Sequence, residues 1–118
     1  MKLVTGVGGW PKGVPAAARR AEEDGFDILT CGELSHDSML TMALAATTTE
    51  RIELQTSVTI AFPRSPMVLA MEAWDIQHLS GGRFSLGLGS QVKGHNERRF
   101  GGTWSAPGTS CTAPAPPR

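Results

Sequence analysis

The sequence predicts an α/β protein, a parallel sheet wrapped toward a (β/α)8 barrel, with about four βα units present. Three observations carry that prediction. Strand-like and helix-like periodicities alternate, with strand starts about 25 to 30 residues apart, the spacing of βαβ units. Each strand runs directly into a Gly-rich or polar loop. The third strand is greasy on one face and polar on the other, whereas the central strands of an open doubly wound sheet are buried on both faces and read as continuous apolar runs. A polar face can instead line the mouth of a barrel. Gly6, Gly8 and Gly9 also lack the GxGxxG spacing of a dinucleotide fold.

The elements follow in order. Lys2 to Gly6 reads as a strand opening into Gly8, Gly9, Trp10 and Pro11. Val14, Ala17, Ala18 and Ala21 fall at helical spacing up to Gly25, which closes the helix. Asp27 to Cys31 is a compact strand, followed by the polar loop Gly32, Glu33, Leu34, Ser35 and His36. Asp37 or Ser35 caps a helix through Thr47, in which Met39, Met42, Ala43 and Ala46 form a stripe that Leu40 and Leu44 widen. Ile52, Leu54, Val58 and Ile60 then alternate with Glu53, Gln55, Ser57 and Thr59 as one continuous strand. Ser65 and Pro66 start a helix whose buried stripe is Leu69, Ala70, Ala73, Trp74 and Ile76.

The fourth unit is the most informative. After Gly81 and Gly82, Phe84, Leu86 and Leu88 alternate with Ser85, Gly87 and Gly89, so one strand face is bulky and the other nearly bare. Two explanations stand level: the bare face leaves room for a ligand against the backbone, or it packs closely on another strand. Ser90, Gln91, Lys93, His95 and Arg98 then form a polar loop.

Composition narrows the function. The 118 residues carry zero net charge, with no basic stripe, so nucleic-acid and membrane-surface binding are not expected and small molecules are. Cys31 and Cys111 form no metal-ligand spacing, and no apolar segment is long enough to cross a bilayer. The expectation is a cytoplasmic protein without a metal site. From Gly108 the sequence reads GTSCTAPAPPR, without helix or strand period, and half of the 8 prolines lie from Pro107 onward. The expected division is therefore residues 1–107 as the folded unit and 108–118 as a Pro/Ala-rich irregular tail. A frameshift or premature stop is one account of the tail, and a natural linker is the other.

The phrases AEEDGFDILTCGE, TSVTIAFPRSPMVLA and LSGGRFSLGLGSQVKGHNERRFG together resemble the N-terminal half of the luciferase-like flavin and deazaflavin oxidoreductases. The resemblance implies a (β/α)8 barrel that binds coenzyme F420, or alternatively FMN, at the carboxyl ends of its strands. It also implies hydride transfer with a small organic substrate, or monooxygenation in flavin members. It places a non-prolyl cis peptide between Ser57 and Val58. On it, the cofactor contacts are expected at Ser57, Val58, Gly87, Gly89 and Gln91, with Glu33 and His36 at the reacting centre. The chain departs from the family where an acidic residue and histidine often follow the second strand: Glu33 matches, but Leu34 stands where the histidine would be. A whole barrel needs roughly 250 residues, so impaired activity is expected of this chain alone. Association through open sheet edges is expected too. A non-catalytic half-barrel and a small α/β binding module are the competing readings.

Overall fold

The computed structural model describes residues 1–102 and 104. The expected tail, 108–118, lies outside the described residues, as does Cys111. The predicted alternation is present as four successive βα units. They comprise β1 (Val4–Gly6), α1 (Val14–Glu23), β2 (Ile28–Cys31), α2 (Ser38–Thr48), β3 (Glu53–Thr56), β4 (Thr59–Ile60), α3 (Pro66–Leu79), β5 (Phe84–Ser85), β6 (Leu88–Gly89) and α4 (Lys93–Arg98). Every strand pair is parallel. One sheet has the order β1-β2-β3-β5, and β4 pairs with β6 in a second ladder.

Register explains where the core lies. Leu29, Leu54 and Phe84 are neighbours across three strands, and their side chains join one cluster with Val14, Ala18 and Ala21 of α1, Met42 and Ala45 of α2, and Leu69 and Ile76 of α3. The three long helices therefore cover one sheet face. Leu54 is wholly buried, and cutting it to Ala would cost about 2–5 kcal/mol. Across the other face run Gly6, Thr30, Gln55 and Ser85, a row with no helix over it among the described residues, and Val4 beside them is 53% exposed. A sheet covered on one side by helices, with small and polar residues on its other side, is the wall of a (β/α) barrel.

Helix ends follow the local chemistry. Asp37 caps α2 by accepting the Leu40 N–H at 2.8 Å. Gly25, after α1, has φ +86, a left-handed conformation that L side chains avoid. Pro66 stands in the first turn of α3 as expected, whereas Ser65 occupies the cap position without a side-chain hydrogen bond.

Four expectations are corrected. The third strand is two strands, because the backbone breaks at Ser57–Val58 and resumes with a new partner. At that break the alternation lapses: Val58 is 41% exposed and Thr59 is wholly buried, the reverse of the predicted faces, while Ile60 is buried as predicted. The fourth strand splits in the same way. The loop after it contains the short helix α4. In α3, Leu69 and Ile76 are buried, but Ala70 is exposed and Trp74 is 77% exposed, so the inward stripe is narrower than the residue types suggested. Among the described residues, no helix is long and apolar enough to cross a membrane.

Candidate active site at the carboxyl ends of the strands

The loops that leave β1, β2 and β4 meet at one end of the sheet. Two cavities open there, of about 310 and 270 Å³, and Ser35 and His36 line both. Glu33 and Arg64 line the first, while Gly8, Gly9, Gly32 and Leu34 line the second. The ring of Trp10 stands 4.9 Å from that of His36, tilted by 53°. Ser35 and His36 thus stand between the two cavities, with the Trp10 ring against the imidazole.

Glu33 is held rather than free. Its side chain is only 8% exposed; one oxygen accepts the Ile60 N–H at 2.7 Å, and the other accepts from Arg64 and, at 3.4 Å, from the Ser38 N–H. Arg64 also reaches Asp37 at 2.8 Å and Glu72 at 3.3 Å. One guanidinium therefore ties the end of β2, the start of α2, the loop after β4 and the first half of α3. Burial opposes the charge of both Asp37 and Arg64, but their mutual attraction and the Leu40 N–H outweigh it: the Asp37 carboxyl lies below its ordinary range and the Arg64 guanidinium above its own. Both stay ionised near neutrality. Under this cluster, the hydroxyls of Ser38 and Thr59 share a 2.8 Å hydrogen bond, and both residues are wholly buried. Burial, with Glu33 and Asp37 nearby, pushes the Cys31 thiol up to about 12. It is a protonated thiol at neutral pH and no nucleophile.

The second group of residues assembles beside the first. The Ser57–Val58 peptide is cis, where the family resemblance placed it. Both residues are exposed, and the Ser57 carbonyl lies 3.3 Å from where a Cβ on Gly32 would sit. Gly89 backs Val58 so closely that a Cβ there would come within 2.4 Å of the valine methyl. At Gly87 the bare face is closely packed. A Cβ would meet the Thr56 carbonyl at 2.1 Å, and the Gly87 N–H and C=O both bond the Thr56 hydroxyl at 2.9 Å. On its Cβ side Gly87 therefore packs on β3. Gln91 has φ 56, and its side-chain oxygen accepts the Val92 N–H at 3.1 Å.

The structure thus brings Ser57, Val58 and Gly89 together as an exposed step. Glu33 and His36 lie on the neighbouring loop, and Gly87 lies beneath. Sequence reasoning missed Arg64. Its signal was available: an arginine between Pro63 and Pro66, directly after a strand, on backbone that the two prolines stiffen.

The Luciferase-like monooxygenase family profile matches residues 5–110. "Uncharacterized protein Rv1360" of Mycobacterium tuberculosis is 46% identical over 91 residues, covering 77% of this chain and 27% of its own length. Rv3520c of the same organism, named for coenzyme F420-dependent oxidoreductase activity, is 37% identical over 109 residues, covering 85% and 31%. Among solved structures, the coenzyme F420-dependent tetrahydromethanopterin reductase of Methanopyrus kandleri superposes with a TM-score of 0.72 at 23% identity, covering 82% of this chain and 29% of that one. The oxygenating constituent of 3,6-diketocamphane monooxygenase from Pseudomonas putida, solved with FMN, gives 0.67 at 20% identity, covering 77% and 27%. The chain spans about 27% to 31% of the length of these curated relatives. With the fold and the matched residues in agreement, the chain belongs to the luciferase-like monooxygenase family.

Proposed function

We propose that this chain carries the cofactor platform of a coenzyme F420-dependent oxidoreductase acting on a small organic molecule. One observation carries the reading: Val58 is an apolar side chain left 41% exposed at the carboxyl end of the sheet, on a step that Gly89 backs without a Cβ. A flat ring system fits such a step, because one face can rest on the valine while backbone groups of Gly32 and Ser57 flank its edge. When bound, a deazaflavin supplies a two-electron hydride donor or acceptor. The chain's own residues then position and exclude. Val58 keeps water from one ring face, Gln91 offers polar contacts at the exit of β6, and Glu33 fixes the loop that carries His36. His36, at the partition between the two cavities, is placed to carry a proton for a substrate oxygen or nitrogen.

FMN with monooxygenation is the second reading, favoured by the FMN-bound likeness in fold. The open ends of the sheet at β1 and β5 are where association between copies, or with further strands, would occur. Equilibrium dialysis of the chain against F420 and against FMN tests the proposal. Saturable retention of F420, weakened by Val58→Asp, is expected. Retention of FMN alone would replace the first reading by the second, and retention of neither would leave a non-catalytic half-barrel.

A further inference from the structure

Under the redox reading His36 carries a proton, yet it lacks the usual holder. An imidazole that passes a proton must aim one ring nitrogen, and a hydrogen bond on the other nitrogen commonly fixes that aim. Among the described residues the His36 ring makes no hydrogen bond, because the carboxylates beside it are committed elsewhere. Glu33 is held by Ile60, Ser38 and Arg64, and Asp37 by Leu40 and Arg64. The contact that the ring does make is with the indole of Trp10, at 4.9 Å between centroids and tilted by 53°. Tilted rings at this separation attract through the positive edge of one and the negative face of the other, so the contact prefers one orientation over the rest.

Trp10 contributes little to the core, since it is 79% exposed. The segment that carries it is nonetheless braced at both ends. The Val7 N–H reaches the Thr30 carbonyl at 2.8 Å, and Val14 is wholly buried. Between these anchors Gly9 turns the chain with φ +86, and a Cβ on Gly8, Gly9 or Gly13 would meet nothing within 4 Å, so the arch stands clear of the sheet and helices. Trp10 itself is extended, with φ −65 and ψ 137, the conformation that a following proline favours, and its carbonyl accepts the Gly13 N–H at 2.9 Å. A short closed turn thus delivers one indole to one imidazole.

Leu34 explains why a separate holder is needed here. On the family resemblance it stands where a histidine often follows the second strand; it is 70% exposed and lines the second cavity with Ser35 and His36. With leucine there, the imidazole comes from two positions further on, next to the Asp37 cap of α2 rather than at the end of β2.

We infer that Trp10 is a positioning residue: its indole fixes the His36 imidazole between the two cavities and leaves both ring nitrogens open to a ligand. The purpose of the contact rests on the proton-carrying role proposed for His36, whereas the contact itself is measured without cofactor. Nuclear magnetic resonance of the chain labelled in its histidines is the test. The His36 ring protons should be displaced from those of the exposed His95 by the indole ring current, and should show cross-relaxation with the Trp10 ring. Trp10→Ala should abolish both signatures and leave the His36 side chain averaging between rotamers, and Trp10→Phe should restore a single rotamer. Circular dichroism should be native for both variants, because position 10 is exposed. A His36 ring that already averages in the native chain, or one that keeps its shift and its single rotamer in Trp10→Ala, would overturn the inference. Failure of the cofactor reading shows separately, as absent F420 retention with the His36 signatures intact.

Discussion

The two ends of the sheet are fastened with different emphasis. At the amino ends of the strands, single charged side chains hold backbone. Glu22 accepts the N–H groups of Glu50, Arg51 and Ile52 at 2.7 to 3.1 Å, and Arg83 donates to the carbonyls of Thr49, Ile52 and Ser80 at 2.6 to 2.8 Å. At the carboxyl ends, charged side chains hold one another: Arg64 draws in Glu33, Asp37 and Glu72 around two cavities. The first arrangement fixes where strands and helices begin and end. The second fixes loops relative to one another and leaves space between them. In a (β/α) wall this is the division between the end that stabilises and the end that reacts.

The largest test of the contrast lies at the carboxyl ends of the strands. Gly87→Ala should destabilise the chain by about 3 kcal/mol, the upper range for forcing volume into a packed site, because the new methyl meets a backbone carbonyl that cannot swing away. Chemical denaturation measures it, and a loss under about 1 kcal/mol would show that the strands can separate to admit a ligand there. Next is the clamp at the opposite end. Glu22→Ala removes the acceptor of three N–H groups and should cost about 2 kcal/mol by the same assay, with cofactor binding unchanged in the folded protein.

The clamp also makes a pH prediction. Burial opposes the Glu22 charge, but the three N–H groups outweigh it and lower its folded pKa. A carboxyl lowered on folding contributes stability that is complete above its unfolded pKa, about 4.3, and lost as pH falls through the folded value. Stability should therefore fall more steeply below pH ~4.3 in the native chain than in Glu22→Gln. Equal acid slopes would mean that the carboxylate is not the group holding the start of β3. A smaller change is expected from Glu33→Gln, which keeps the shape and an acceptor: about 1 kcal/mol of stability, with weaker cofactor binding through the displaced loop.

Much of the architecture was legible because it depends on period alone. Leu54 and Phe84 stand in strands whose alternation marks them as inward, and Val14, Ala18 and Ala21 recur at helical spacing. Period failed where the backbone breaks. Between β3 and β4 the ladder changes partner, and there Thr59 goes inside to meet Ser38 while Val58 comes out and Ile60 stays buried. It also failed at α3, where apolar residues occupy both sides of the helix and composition does not tell Trp74 from Ile76. At the candidate site, Ser57, Val58, Gly87 and Gly89 were expected through the family's phrases, and the close packing of Gly87 on the Thr56 carbonyl was one of the two explanations its bare strand face allowed. Arg64 was not found, since a salt bridge joining residues thirty positions apart has no signature in local sequence.

Amide hydrogen exchange with and without added F420 tests the division between the two ends most directly. Exchange should slow at Gly32, Val58 and Gly89 when the cofactor is present, while the amides of Arg51 and Ile52, already held by Glu22, should keep their rates. Slowing confined to the Glu22 end, or none at the strand-end step under saturating F420, would contradict the account.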